Sequence, residues 1–211
     1  LLKREDTQAV FSFKLRGAYN KMANLAPAAR NRGVIAASAG NHAQGVALAA
    51  AKLGISARIY MPRGVALPKL QATKDHGAEV VLHGSTVDES LAEAQRWATE
   101  TGAVFIPPFD DPAVIAGQGT AGREIAEDMA ALGLTPDIVV APASGGGLIA
   151  GVATAVKAKY PQAQVIVAEP AGYDDHALSL KVGHREAHAV APRTICDALM
   201  AMMPGELTFA I

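Results

Sequence analysis

The chain has 211 residues, with 19 Lys+Arg against 20 Asp+Glu for a formal net charge of −1; half its residues are hydrophobic, 18% charged and 5% aromatic. A chain so apolar and so balanced is not intrinsically disordered, can bury about 70% of its unfolded surface, and offers no basic field to a nucleic acid. Its one cysteine, Cys196, excludes an intrachain disulfide framework and a cysteine-based zinc cluster, and suits a reducing, cytoplasmic setting.

The chain opens Leu1-Leu2-Lys3-Arg4, with neither an initiator Met nor a signal pattern. Ser12 is expected to cap a helix that begins at Phe13, which puts Lys14 in the first turn, where the helix dipole disfavours an ammonium. A lysine with a lowered pKa is a better nucleophile toward a carbonyl. On that ground alone, a helix lysine reads first as a solvated charge. Short β-type runs then alternate with helical stretches. Strand 33–37 leads to helix 41–53, stopped by Gly54; strand 57–61 to helix 67–76, stopped by Gly77; and strand 79–82 to helix 87–101, stopped by Gly102. Strand 104–106 ends at Pro107-Pro108, and helix 119–132 is stopped by Gly133. Strand 138–141, a helix from 148 and strand 164–168 follow the same plan.

Glycine just past a helix supplies a left-handed cap. The alternation predicts an α/β fold of parallel βαβ units, with ligands bound beyond the carboxyl ends of the strands. Candidate boundaries at 31–33 and in the proline-rich 107–112 predict a small domain, 33–110, inserted into a larger one made of 1–32 and 111–211. Residues 138–156 carry no charge over 19 positions. Pro142 and the triple glycine divide them into strand, loop and helix rather than a membrane span. Residues 207–211 are expected as a strand without its continuation, so both ends are read as cut.

Two loops carry candidate chemistry besides Lys14. Ser38-Ala39-Gly40-Asn41-His42-Ala43-Gln44-Gly45 follows a strand and opens a helix; its small residues admit a ligand to the backbone, and the helix N-terminus favours an anion such as a carboxylate. The plainer reading is a turn capped by Asn41. Ser144-Gly145-Gly146-Gly147-Leu148 also joins strand to helix, and its glycines free backbone N–H groups to converge on a phosphate. It lacks the lysine of a Walker loop and the spacing of a dinucleotide fingerprint. His42, His76, His83, His176, His184 and His188 form no zinc-hydrolase pair, and no Gly-x-Ser-x-Gly elbow occurs.

The three motifs in this order, Ser-Phe-Lys-x-Arg-Gly-Ala, Ser-Ala-Gly-Asn-His-Ala-Gln-Gly and the triple glycine, resemble the threonine dehydratase and serine dehydratase family of fold-type-II, tryptophan-synthase-β-like pyridoxal-phosphate enzymes. Leu2-Lys3-Arg4-Glu5-Asp6, Pro108-Phe109-Asp110 and Val114-Ile115-Ala116-Gly117-Gln118-Gly119-Thr120 extend the likeness to the whole chain. The resemblance implies two open, twisted, mostly parallel sheets with flanking helices. It implies that Lys14 carries pyridoxal 5′-phosphate as a Schiff base and takes the Cα proton, that Phe13 packs near the ring, and that Asn41 meets the cofactor's phenolic oxygen. Ser38, Ala39, Gly40, Asn41 and His42 would cradle the substrate carboxylate. Ser144, Gly145, Gly146, Gly147 and Leu148 would hold the cofactor phosphate, Ser144 standing where relatives commonly have a fourth glycine. Glu169, the Tyr173 carbonyl and Asp175 resemble a segment where several members hold Mg²⁺ or Ca²⁺, hard cations that take oxygen ligands.

The activity so implied is a lyase of amino-acid metabolism, including isoleucine biosynthesis. It converts L-threonine and L-serine to 2-oxobutanoate and pyruvate with release of ammonia, in a cytoplasmic homo-oligomer, a dimer or a tetramer, without nucleic-acid or membrane partners. Within the family the alternatives are a 3-hydroxyaspartate dehydratase and a serine or aspartate racemase. Racemising members usually carry a serine hydroxyl where this chain has Ala39. Outside the family, the glycine loop alone would fit a non-catalytic nucleotide-binding domain, which has no use for Lys14.

Overall fold

A computed structural model describes residues 1–189 and 192–211. The chain divides into two compact units, Arg4–Pro108 and, with Leu1–Lys3, Phe109–Ile211.

In the first unit, helices α1 (Lys14–Ala23) and α2 (Pro27–Asn31) precede β1 (Val34–Ala37), α3 (Asn41–Leu53), β2 (Ala57–Met61), α4 (Leu67–Asp75), β3 (Glu79–Leu82), α5 (Val87–Thr101) and β4 (Val104–Phe105). The strands are parallel in the order β3-β2-β1-β4. All four residues of β1 are buried, because helices cover both faces of a parallel sheet. Val34 and Ala36 pack with Ala18, Met22, Val46 and Ala50, while Ile35 and Ala37 share the opposite face with Ala94 and Trp97. The chain steps outward from β1 to β3 and then returns to lay β4 on the free side of β1. That reversal leaves a crevice outside the carboxyl ends of β1 and β4, where open α/β sheets take ligands.

This division differs from the expected one. From Arg4 onward the N-terminal segment groups with the four strands, and the unit ends at Pro108 rather than 110. The cause is the seat of α1 on α3: a Cβ on Gly45 would lie 2.9 Å from the Lys14 carbonyl carbon, and Ala18 and Met22 enter the same core.

The second unit contains α6 (Pro112–Ala131), β5 (Ile138–Pro142), α7 (Gly147–Lys159), β6 (Gln164–Ala168), α8 (Asp175–Val182) and α9 (Glu206–Ala210). β5 and β6 pair in parallel. α6 and α7 cross so closely that a Cβ on Gly151 would fall 2.4 Å from the Ile115 carbonyl oxygen.

α3, α5, β2, β3 and β6 span the predicted residues, and Gly54, Gly77, Gly102 and Gly133 all have positive φ as expected. Three expectations fail. α6 starts at Pro112 rather than 119, because the Asp111 carboxylate accepts from the N–H groups of Ala113 and Val114, each at 3.0 Å, and Pro112 suits a first helical position. Residues 206–210 form a helix where a strand was expected, its opening N–H groups bound by the Asp110 carboxylate. Ser12 does not cap α1: Phe13 holds that position in helical conformation, and Ser12 Oγ is buried with no hydrogen-bond partner among the described residues. Among the described residues, no helix is long and apolar enough to cross a membrane.

Candidate active site

Lys14 and His42 stand at the crevice between the ends of β1 and β4. Lys14 Nζ donates to the Pro108 carbonyl at 2.6 Å and lies 5.2 Å from the centre of the Phe13 ring. Its ammonium is pushed down from 10.5 to about 8. The direction is the one expected from the helix dipole, but the cause is burial, which disfavours the charged form. His42, in the first turn of α3, is buried and donates Nε2–H to the Ile106 carbonyl at 2.8 Å. A carbonyl only accepts, so this bond fixes the tautomer and leaves Nδ1 without a proton. Burial first, and then the neighbouring Lys14 charge, push the imidazolium down to about 3. His42 is therefore a neutral tie between α3 and the segment after β4.

Between β1 and α3, Ser38 Oγ accepts from the Gly40 N–H at 3.2 Å and bends the loop. Gly40 occupies the N-cap and Asn41 is exposed, so the plainer reading of a turn capped by Asn41 does not hold. Ser38, Ala39 and Gly40 are half-buried beside the opening N–H groups of α3, which have no acceptors within the helix. The first unit thus contains Phe13, Lys14 and residues 38–42, and of these it brings His42 within reach of the Lys14 charge.

In the second unit, the glycine loop links β5 to α7. A Cβ on Gly145 would meet the Phe109 ring at 2.4 Å, one on Gly147 the Phe109 backbone at 2.9 Å, and one on Gly146 the His176 Cε1 at 2.7 Å and Thr208 Oγ1 at 2.8 Å. Gly146 also has φ +91°, a left-handed value that glycine adopts at no steric cost. The loop keeps its backbone N–H groups at the start of a 13-residue helix, the donor set that a phosphate takes. Ser144 Oγ accepts from the Ala201 N–H at 3.0 Å. The His176 ring donates to the Ser144 carbonyl at 2.9 Å and the Thr208 hydroxyl to the Gly145 carbonyl at 2.6 Å. Sequence reading found neither donor, because 32 and 63 positions separate them from their acceptors.

Beside the loop, Glu169, Asp175 and His176 bring ligand atoms within 4.8 Å of one another. The Glu169 carboxylate accepts from the N–H groups of His176 and Ala177, each at 3.0 Å. Both Asp175 oxygens are buried and have no hydrogen-bond partner among the described residues. Burial first, and Glu169 among the further causes, push the Asp175 carboxyl up from 3.8 to about 6. A divalent cation would satisfy these orphaned oxygens. The Tyr173 phenol is spent on the Pro192 carbonyl at 2.9 Å.

In the first unit, a lysine whose amine is part neutral near pH 8 has the chemistry to take an aldehyde; in the second, a buried glycine cradle at a helix start has the donors for a phosphate. L-threonine ammonia-lyase of Thermotoga maritima is 49% identical over 212 residues, covering all of this chain and 51% of its own length. The catabolic L-threonine dehydratase TdcB of Escherichia coli K12 is 44% identical over 210 residues, 62% of its length. The processed form of threonine deaminase isoform 2 from Solanum lycopersicum superposes with a TM-score of 0.94 at 48% identity, over 99% of this chain and 59% of that one. Maize serine racemase superposes at 0.92 with 38% identity, over 99% and 61%. The chain spans about half to three fifths of the length of these relatives. The family model described as pyridoxal-phosphate dependent enzyme matches residues 1–211, and the chain belongs to that family.

Proposed function

We propose that the chain is the cofactor-binding part of a lyase that converts L-threonine and L-serine to 2-oxobutanoate and pyruvate with release of ammonia. The observation that carries this reading is the desolvated Lys14 amine beside the neutral His42, within a chain 44–49% identical to threonine ammonia-lyases and dehydratases over its whole length. Pyridoxal 5′-phosphate, when bound, supplies the electron sink that stabilises a carbanion at the substrate Cα. Lys14 Nζ would hold the cofactor's aldehyde carbon and then move the Cα proton; a pKa of about 8 leaves a useful fraction of neutral amine near neutral pH. Residues 38–42 would hold the substrate carboxylate at the start of α3, and Asn41 would reach the cofactor's phenolic oxygen. Residues 144–148 would bind the phosphate. Ca²⁺ or Mg²⁺ would sit on Glu169, Asp175 and the Tyr173 carbonyl as a structural or activating ion. A cytoplasmic homo-oligomer completes the reading.

The racemase alternative draws support from the likeness to maize serine racemase. Against it, inversion needs an acid on the face opposite the lysine, and the Ala39 methyl cannot donate a proton. The test is an assay with L-threonine, L-serine and 3-hydroxyaspartate, measuring 2-oxo acid for wild type and Lys14→Ala. Wild type is expected to release 2-oxobutanoate and pyruvate, and the variant neither. A borohydride-reducible adduct persisting in the variant would show that another lysine serves, and D-serine forming as fast as pyruvate would favour the racemase.

A further inference from the structure

We propose that His176 and Thr208 are positioning residues for the glycine loop, each fixing the direction of one phosphate-facing N–H. The inference rests on the reading of residues 144–148 as a phosphate site. In a planar trans peptide the carbonyl and the following N–H point in opposite directions. His176 Nε2 donates to the Ser144 carbonyl at 2.9 Å, which turns the Gly145 N–H away from the imidazole. Thr208 Oγ1 donates to the Gly145 carbonyl at 2.6 Å, which turns the Gly146 N–H away from the hydroxyl. The two donors flank Gly146, where a Cβ would meet both.

Each donor is itself held by a carboxylate through its own backbone. Glu169 accepts from the His176 N–H at 3.0 Å, and Asp110 accepts from the N–H groups of Glu206, Leu207 and Thr208 at 3.0, 2.9 and 3.3 Å. Glycine is the residue most free to rotate its peptide planes, so three in a row need external donors to keep their N–H groups convergent. The Gly205 N–H also donates to the Gly145 carbonyl, at 3.2 Å, so removal of the hydroxyl loosens that peptide without freeing it.

The experiment measures dissociation constants for pyridoxal phosphate and for pyridoxal, which lacks the phosphate, by absorbance of the bound species in wild type, Thr208→Val, Thr208→Ser, His176→Phe and His176→Gln. Thr208→Val and His176→Phe are expected to bind pyridoxal phosphate about five- to tenfold more weakly, the worth of one hydrogen bond, with pyridoxal affinity unchanged. Thr208→Ser and His176→Gln keep a donor and are expected to stay within about twofold of wild type. The two sites pose the same question on adjacent peptides, so a valine variant that fails to fold leaves His176→Phe to decide. Unchanged pyridoxal phosphate affinity, or equal losses for both ligands, would overturn the proposal. A wild-type protein that binds pyridoxal as tightly as pyridoxal phosphate would instead overturn the phosphate-loop reading itself.

Discussion

Gly45 and Lys14 meet across the α1–α3 crossing, where an added Cβ at position 45 would come 2.9 Å from the Lys14 carbonyl carbon and 3.1 Å from its Cβ. The neighbours are mainly backbone, which cannot swing aside. Gly45→Ala is therefore expected to push α1 off α3, at a cost of about 1–3 kcal/mol, and to displace Nζ from the Pro108 carbonyl. Urea denaturation and the extent of pyridoxal phosphate attachment measure the two effects. Wild-type stability with wild-type attachment would show that the crossing has slack.

The Lys14 ammonium falls from 10.5 to about 8 on folding. Between those values the unfolded chain binds the extra proton and the native one does not, so this residue makes stability rise with pH across that window. Cofactor-free wild type is expected to gain stability from pH 8 to 10 relative to Lys14→Met. Its rate of attachment to an aldehyde should rise with an apparent pKa of about 8. Parallel stability curves would mean that Nζ is solvated.

Asp175 titrates in the opposite sense, its folded value of about 6 lying above 3.8. The native state holds more protons between those values, so stability at this residue falls as pH rises through that window, and the cost is fully present at pH 7. With a chelator at pH 7, Asp175→Asn is expected to melt higher than wild type. Ca²⁺ should raise the melting temperature of wild type and leave that of the variant unmoved. Equal shifts in both would dismiss a cation at this carboxylate.

Ala39 faces a different trial. Ala39→Ser supplies a hydroxyl in the loop between β1 and α3, and under the proposed function that loop would meet the substrate on the face where inversion needs an acid. L-Serine is expected to give pyruvate with little D-serine in wild type, and a larger D-serine fraction in the variant. Chiral chromatography of both reactions reads the ratio directly, and an unchanged ratio would remove Ala39 from the account.

The elements most legible in the sequence were those where local chemistry and tertiary packing agree. β6 is a short β-branched run, β2 is a short run centred on Ile59 and Tyr60, and α3 and α5 end on glycines in left-handed conformation. Lys14 and both loops were singled out because each sits at a helix start, and the order of their three motifs carried the family resemblance. What was missed depends on long-range partners. Ser12 has the chemistry of a cap, yet tertiary burial leaves Phe13 at that position. The start of α6 was legible in Asp111-Pro112 but was read as part of a proline-rich boundary. The supports of the glycine loop, Thr208 and His176, have no local signature at all. The membership of residues 4–32 turned on the Gly45 contact, and one glycine in a motif does not reveal what crosses it.

The return of β4 to the free side of β1 also bears on how the protein reaches its native state. The Ser38 N–H bonds the Tyr60 carbonyl on neighbouring β2, whereas the Ile106 N–H must find the Ile35 carbonyl after the whole β2-to-α5 excursion. A bond at the foot of the same pairing, from Arg32 Nε to the Gly102 carbonyl, spans 70 positions. Contacts so distant in sequence carry the larger loop-closure entropy and slow the search. In pulse-labelled hydrogen exchange the Ile106 amide is expected to gain protection after that of Ser38. The crevice floor on which Lys14 and His42 rest is then laid late in folding, and under the proposed function a newly made chain would not hold its cofactor there until that step is complete.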